Sequence, residues 1–172
     1  MLAACTKIEF ATARDVHEIS ALSRRYIEHG LHRRYTPPVI RELLRHRSKN
    51  VVVARRERVL VGFGIMTYRR DTANLDLLAV RKPHRQHGVG TQILHWLEKV
   101  ADTAGIVNIF VQVRLSNSGA IRFYEKLGYL AVAEIPGYYQ GREAAAILCK
   151  GLQPMTGVLQ THQIRVGGRI LS

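Results

Sequence analysis

Acid is what this chain most lacks. Thirteen Asp and Glu stand against 26 Lys and Arg, a formal net charge of +13 over 172 residues. Such a surface favours anionic partners: phosphorylated cofactors, nucleic acid, acidic proteins or membrane surfaces. The same excess also serves as an ordinary solvated basic face, and charge alone does not choose. Cysteine is scarce too. Cys5 and Cys149 lie far apart with no CxxC spacing, which argues against a disulfide framework or a cysteine-based metal site and fits a reducing compartment. No apolar run approaches the roughly 20 residues of a membrane span. Leu2-Ala3-Ala4-Cys5 has the outline of a lipoprotein cleavage box, but no apolar segment precedes it. The expectation is a cytoplasmic protein with no membrane partner. The eight histidines show no HxxxH or HExxH spacing, so no catalytic metal is expected.

What is present is an ordinary globular composition, 47% hydrophobic and 23% charged, long enough for one domain with a real core. The first strand is expected at 7–11. A helix then opens at Asp15, with Glu18 completing a capping box. Val16, Ile19, Leu22, Tyr26 and Ile27 give it an inner face, and Gly30 is read as its C-cap. Thr36 and Pro37 start a second helix. The β-branched runs 51–55 and 59–68 read as a hairpin, and 74–80 as a further strand. A third helix is expected over about 88–104, with Val89, Ile93, Trp96, Leu97 and Val100 inward. The apolar run 106–114 predicts a strand buried on both faces. A fourth helix follows Asn117 and stops at Gly128. Strands at 129–135 and 144–149 close the set. The pattern predicts an α/β fold, a mixed central sheet of about six to seven strands flanked by helices. Residues 1–152 form the domain, and 153–172 a tail or late-docking segment.

The chemistry is concentrated after the strand that ends Leu77-Leu78-Ala79-Val80. A basic loop follows, and a helix opens on Arg85-Gln86-His87-Gly88-Val89-Gly90. Helix N-termini carry unpaired N–H groups and partial positive charge, and glycine lets that backbone approach a phosphate closely. Arg81, Lys82 and Arg85 add charge, so the assembly suits a pyrophosphate. It is neither a Walker loop nor a dinucleotide fingerprint, since no Gly-Lys-Ser/Thr and no G-x-G-x-x-G are present.

These residues resemble the Q/R-x-x-G-x-G/A signature of the Gcn5-related N-acetyltransferase (GNAT) family. A second block, Asn117-Ser118-Gly119-Ala120-Ile121-Arg122-Phe123-Tyr124-Glu125-Lys126-Leu127-Gly128-Tyr129, is similar to that family's N-x-x-A-x-x-x-Y-x-x-x-G-F/Y segment. The resemblance covers roughly 7–152. It is nearest the RimI-type protein N-terminal acetyltransferases, through Gly137-Tyr138-Tyr139-Gln140-Gly141-Arg142-Glu143-Ala144. It implies the acyl-CoA N-acyltransferase fold, acetyl-CoA as cosubstrate, no metal, and transfer to a primary amine by direct attack in a ternary complex. The acceptor is a protein N-terminal α-amine or a small amine. A CoA- or RNA-binding domain without catalysis is the alternative from another class.

The resemblance also assigns roles. Main-chain groups of Leu78 and Val80 pair with the pantetheine arm, and the Val80 N–H polarises the thioester carbonyl. The amides of Arg85, Gln86, His87, Gly88, Val89 and Gly90, with the Thr91 hydroxyl, hold the pyrophosphate. Asn117 contacts the cofactor arm, caps its helix, or does both. Tyr124 donates a proton to the departing thiolate, or is a core tyrosine. Tyr138 and Tyr139, in the loop between the last strands, line the acceptor groove or are edge aromatics. Gln112 stands where such enzymes commonly carry a Glu or His base. A glutamine amide does not titrate in the useful range. That leaves a water chain, another group (Glu134, Asp76 or His84), or an acceptor amine that arrives partly neutral. The basic residues Arg24, Arg25, His32, Arg33, Arg34, Arg41, Arg45, Arg47 and Lys49 fall beside the acceptor side. They are a solvated face, or they recruit an acidic protein, a ribosome surface or RNA. The sequence leaves the oligomeric state open.

Overall fold

The computed structural model describes residues 5–152, 164–166 and 169–171. A seven-stranded sheet runs in the order β1-β2-β3-β4-β5-β7-β6. Its strands are β1 (Lys7–Phe10), β2 (Lys49–Arg56), β3 (Val59–Arg69), β4 (Thr72–Val80), β5 (Asn108–Arg114), β6 (Leu130–Tyr139) and β7 (Glu143–Gly151). Neighbours pair antiparallel except β4 and β5, which are parallel and joined through a crossover helix. The expected mixed sheet flanked by helices is therefore what the chain adopts. A separate two-stranded pair, β8 (Ile164–Val166) and β9 (Arg169–Leu171), lies within the expected tail. The rest of that tail, and the first four residues, lie outside the described residues. Among the described residues no helix is long and apolar enough to cross a membrane.

Helices α1 (Val16–Tyr26) and α2 (Pro37–Leu43) cover one face of the sheet. Val16, Ile19, Leu22 and Ile40 pack there on Val51, Val53, Phe63, Ile65, Leu77 and Ala79. Helices α3 (Val89–Thr103) and α4 (Ser118–Lys126) cover the other, with Val89, Ile93, Leu94, Leu97 and Tyr124 on Ala73, Leu75, Val111 and Val113. α3 opens on Gly88 with no side-chain N-cap, an omission that costs only about a few tenths of a kcal/mol when the capping residue is glycine. Each buried aliphatic side chain contributes about 1.5–3 kcal/mol, so packing outweighs the missing cap several-fold. Gly64 lets α3 come close, because a Cβ there would sit 2.7 Å from Ile93 Cγ2.

Four sequence expectations change in detail. The capping box is Thr12 with Asp15, around a 3-10 turn over Ala13–Asp15, not Asp15 with Glu18. Asp15 bonds back to the Thr12 N–H at 2.8 Å, while Glu18 pairs with Arg81. α1 ends at Tyr26, so Gly30, at φ +76°, turns the following loop rather than capping the helix. β5 alternates buried and half-buried residues instead of burying both faces. Trp96 is half-buried, its ring edge-on to Phe10 at 5.0 Å.

One irregularity positions everything that follows. Ile65 pairs with Leu77 and Met66 with Leu75, leaving Asp76 as an extra residue in β4. A bulge of this kind shifts the alternation of a strand. Leu75 joins the α3/α4 core, yet Leu77, two residues on, joins the α1/α2 core.

Candidate active site

β4 and β5 stay paired only from Thr72/Asn108 to Leu75/Val111. Beyond that point β4 runs on to Val80 and β5 to Arg114 with no pairing between them. A gap thus opens inside the sheet. The Arg81 N–H donates to Val61 of β3 at 2.8 Å, so strand alternation turns the N–H groups of Val80 and Leu78 the other way, into the gap. Both residues named for the pantetheine arm therefore present an unpaired N–H there.

The loop after β4 ends in an anion cradle. Gln86 and Gly88 take left-handed conformations at φ 62° and 76°. Among the described residues, the N–H groups of Gln86, His87, Gly88, Val89, Gly90 and Thr91 have no acceptor. Consecutive unpaired amides at a helix start, bent by left-handed residues, form a nest for phosphate oxygens. The Arg85 side chain is used structurally. Its Nε donates to Val80 O at 2.9 Å, and its guanidinium covers the Tyr26 ring at 4.7 Å. Arg56 donates to His87 O at 3.1 Å and braces the loop. Gly90 lies against Phe123 of α4, where a Cβ would meet the ring at 3.4 Å. Thr91 is half-buried in the first turn of α3.

α4 brings two further residues. Asn117 caps it, its Oδ1 accepting from the Ala120 N–H at 3.1 Å; its side-chain amide stays exposed. Tyr124 is 6% exposed. No described group bonds its hydroxyl, yet no buried polar atom lacks a partner among the described residues, so the hydroxyl oxygen is open to solvent. Burial, and then the nearby Tyr139, push the phenol above its usual range, which keeps it protonated at neutral pH.

The opposite face of the gap is built from side chains. Tyr139 donates from its hydroxyl to Gln112 O at 3.2 Å, and Tyr138 stands edge-on to it at 5.0 Å. Both tyrosines belong to the end of β6, not to a loop; the turn is 140–142. Arg114 lies 5.4 Å from the Tyr139 ring centre and pairs with Glu143 at 3.0 Å. It also donates to Ile27 O at 3.0 Å and His29 O at 2.7 Å. His32 N–H donates to Gln140 Oε1 at 3.3 Å. The α1–α2 loop and the β6–β7 turn are thereby tied into an arch. Buried Glu28 shapes the loop from within, accepting from the Arg34 N–H, from the Tyr35 N–H at 3.0 Å and from Ser23 Oγ at 3.1 Å. Burial, then the charge of Asp76, push the Tyr35 phenol up to about 12.

Beneath the arch, Gln112 donates from Nε2 to Asn74 Oδ1 at 2.8 Å, and Asn74 donates from Nδ2 to Asp76 Oδ1 at 2.8 Å. The other Asp76 oxygen takes Lys49 at 3.2 Å and Thr67. Asp76 is thus saturated with donors, poorly placed to act as a base. Glu134 lies exposed on edge strand β6, paired with Ala146 of β7, which in turn pairs with Val113. Two strand spacings, about 10 Å, separate it from β5. His84 sits in the 3-10 turn between β4 and α3. Asn74, Tyr35, Arg114 and Glu28 were not foreseen. The one available signal was Asn74 and Asp76, polar residues in an otherwise apolar strand.

Comparison with known proteins agrees with this geometry. Residues 13–129 match the model of the acetyltransferase (GNAT) family. Ribosomal protein bS18-alanine N-acetyltransferase of Salmonella typhimurium is 34% identical over 92 residues, 52% of this chain and 62% of that protein. The chain thus matches about three fifths of that relative's length. The crystal structure of Ard1 from Thermoplasma volcanium superposes with a TM-score of 0.77 at 25% identity, over 88% of this chain and all of the other. The Escherichia coli ribosomal-protein-S18-alanine N-acetyltransferase shares the fold, with a TM-score of 0.75 at 21% identity over 90% of this chain and all of that one. With a split parallel pair, an amide nest at the mouth of α3 and the family match over residues 13–129, the chain belongs to the GNAT family of acetyltransferases.

Proposed function

We propose that this protein transfers the acetyl group of acetyl-CoA to a primary amine, with a protein N-terminal α-amine as acceptor. The observation that carries the reading is two sets of unpaired main-chain N–H groups on one stretch of chain, at Leu78 and Val80 and then at the nest of 86–91. That track suits pantetheine, which is amide-bearing, followed by a pyrophosphate.

Acetyl-CoA supplies the activated acyl group, and the chain's residues do the rest. The nest amides and the α3 dipole hold the pyrophosphate, assisted by Thr91. Leu78 and Val80 hold the arm in the gap. The Val80 N–H donates to the thioester oxygen as negative charge builds there. The amine enters from beneath the arch between Tyr35, Tyr138 and Tyr139, and attack forms the C–N bond as the C–S bond breaks. The nitrogen gives up one proton to water. The leaving sulfur gains one from the Tyr124 hydroxyl, which solvent restores. Orientation of the two reactants in one complex supplies much of the rate.

Neither Gln112 nor Asn74 titrates usefully, and Asp76 is fully engaged. The acceptor is therefore used in its neutral form. An α-amine of pKa about 8 is roughly two orders of magnitude more neutral at pH 7 than a lysine of about 10.4. This favours N-terminal α-amines over lysine side chains. Arg25, Arg34, Arg41, Arg45 and Arg47 are exposed on α1, α2 and the segments that follow them, a basic surface suited to an acidic acceptor protein. Lys49 does not join them, since it points inward to Asp76.

Thiol release from acetyl-CoA tests the reading, with N-terminal peptides and small amines offered side by side. Turnover on peptides is the expected result. Turnover on small amines alone rejects the acceptor class, and CoA binding without turnover on any amine rejects catalysis.

A further inference from the structure

We infer that Asp76 is a positioning residue which, through Asn74, fixes the orientation of the Gln112 amide so that its carbonyl oxygen receives the acceptor amine; this rests on the acetyl-transfer reading.

An amide side chain is ambiguous by itself, because its oxygen and nitrogen exchange places on a half-turn. Here the ambiguity is removed one residue at a time. An ionised carboxylate only accepts hydrogen bonds. Asp76 is held beside Lys49 at 3.2 Å and takes the Thr67 hydroxyl on the same oxygen. Its remaining oxygen faces Asn74 at 2.8 Å. Asn74 must turn its NH2 toward Asp76, which leaves its oxygen toward Gln112. Gln112 must then turn its NH2 toward Asn74, as it does at 2.8 Å. The Gln112 oxygen is left pointing away from the pair.

That oxygen has no described donor, and no buried polar atom lacks a partner among the described residues. It is therefore open. It lies on the face of β5 shared with Arg114, under the arch, one residue beyond the last β4–β5 pair at Leu75/Val111. A neutral amine offers N–H donors and one lone pair. An acceptor oxygen at this point takes an N–H and leaves the lone pair for the thioester. The reversed amide would present its NH2 and compete for the lone pair. The bulge puts Asp76 in this chain of contacts, since it supplies the extra polar position between Leu75 and Leu77.

A double-substitution cycle in the whole chain tests the idea. Asp76→Asn can donate as well as accept, so the orientation of Gln112 is released. The kcat/KM for a peptide acceptor falls about tenfold, the scale of one well-placed hydrogen bond, while the KM for acetyl-CoA is unchanged. Gln112→Glu has no donor and meets the Asn74 oxygen head-on. In that background Asp76→Asn lets Asn74 turn round and donate, so the same substitution now raises kcat/KM. A purely structural Asp76 gives the same loss in both backgrounds, and that result, or no loss in the Gln112 background, overturns the inference. Should Asp76→Asn not fold, Asn74→Leu breaks the middle link while Asp76 keeps Lys49 and Thr67. It lowers kcat/KM beside Gln112 and raises it beside Glu at 112; equal losses overturn the inference. If the wild-type protein turns over no amine at all, the transfer reading fails by itself. The orientation is then read from nitrogen-15 spectra. A shift of the Gln112 side-chain NH2 signals on Asp76→Asn supports the inference, and unmoved signals reject it.

Discussion

The two walls of the gap are made of different material. On the wall proposed for the cofactor, the unpaired groups are main-chain amides, those of Leu78 and Val80 and of the nest at 86–91. The Arg85 and Arg56 side chains there brace the loop. On the acceptor side almost every group that faces the gap is a side chain, drawn from the α1–α2 loop, the β4 bulge, β5 and the end of β6. A main-chain site tolerates sequence change and fixes a constant ligand. A side-chain site ties its ligand to particular residues, which suits the reactant that varies between relatives.

Tyr124 reaches the gap from one wall and Tyr139 from the other, so the largest effect is expected where they meet. Tyr124→Phe lowers kcat by about a hundredfold, the lower range for a general acid, with the KM for acetyl-CoA unchanged in steady-state assays. Next comes the main-chain wall. Gly88→Val forces a β-branched residue to φ +76°, at a cost of about 1–3 kcal/mol. CoA affinity by calorimetry falls roughly 10- to 100-fold, and the rise in Tm on adding CoA shrinks. The side-chain wall yields a smaller and different loss. Arg114→Ala unties the arch and raises the acceptor KM about tenfold without changing CoA binding. A loss of CoA binding instead would break the division between the walls. The smallest effect sharpens it: His87→Ala, which leaves its amide in place, changes CoA affinity less than about twofold.

The acceptor wall also carries an alkaline signature. Burial holds Tyr35 up to about 12, above the roughly 10 of an unfolded tyrosine. Its folded-state preference for the proton costs nothing below pH 10. As pH rises from 10 toward 12 the unfolded chain releases the proton first, so stability falls. Urea titrations across that window show the decline, and Tyr35→Phe flattens part of it.

The same division explains what the sequence could tell. Gly88, Gly90, Asn117 and Tyr124 were legible because glycine spacing, a cap and a helical period are local signals. The gap was not, since it depends on the register ending at Leu75/Val111 and on a bulge that no local pattern announces. The arch was equally hidden. Arg114 meets Ile27 and His29 across more than eighty positions, and a buried carboxylate such as Glu28 reads in sequence like any surface glutamate. Placing Asp15 with Glu18 failed for a related reason. Thr12 competes for Asp15 from the other side, and only the ion pair of Glu18 with Arg81 decides between them.

The supernumerary Asp76 lets two leucines two positions apart serve opposite faces of the sheet, Leu75 beside Met66 and Leu77 beside Ile65. Removing that single codon would place Leu77 directly after Leu75 and restore simple alternation with both pairings kept. Leu78 and Val80 would still aim their amides at the opening, and only the carboxylate would be gone. The extra residue is thus an insertion that adds a charged group to one wall while leaving the other in register.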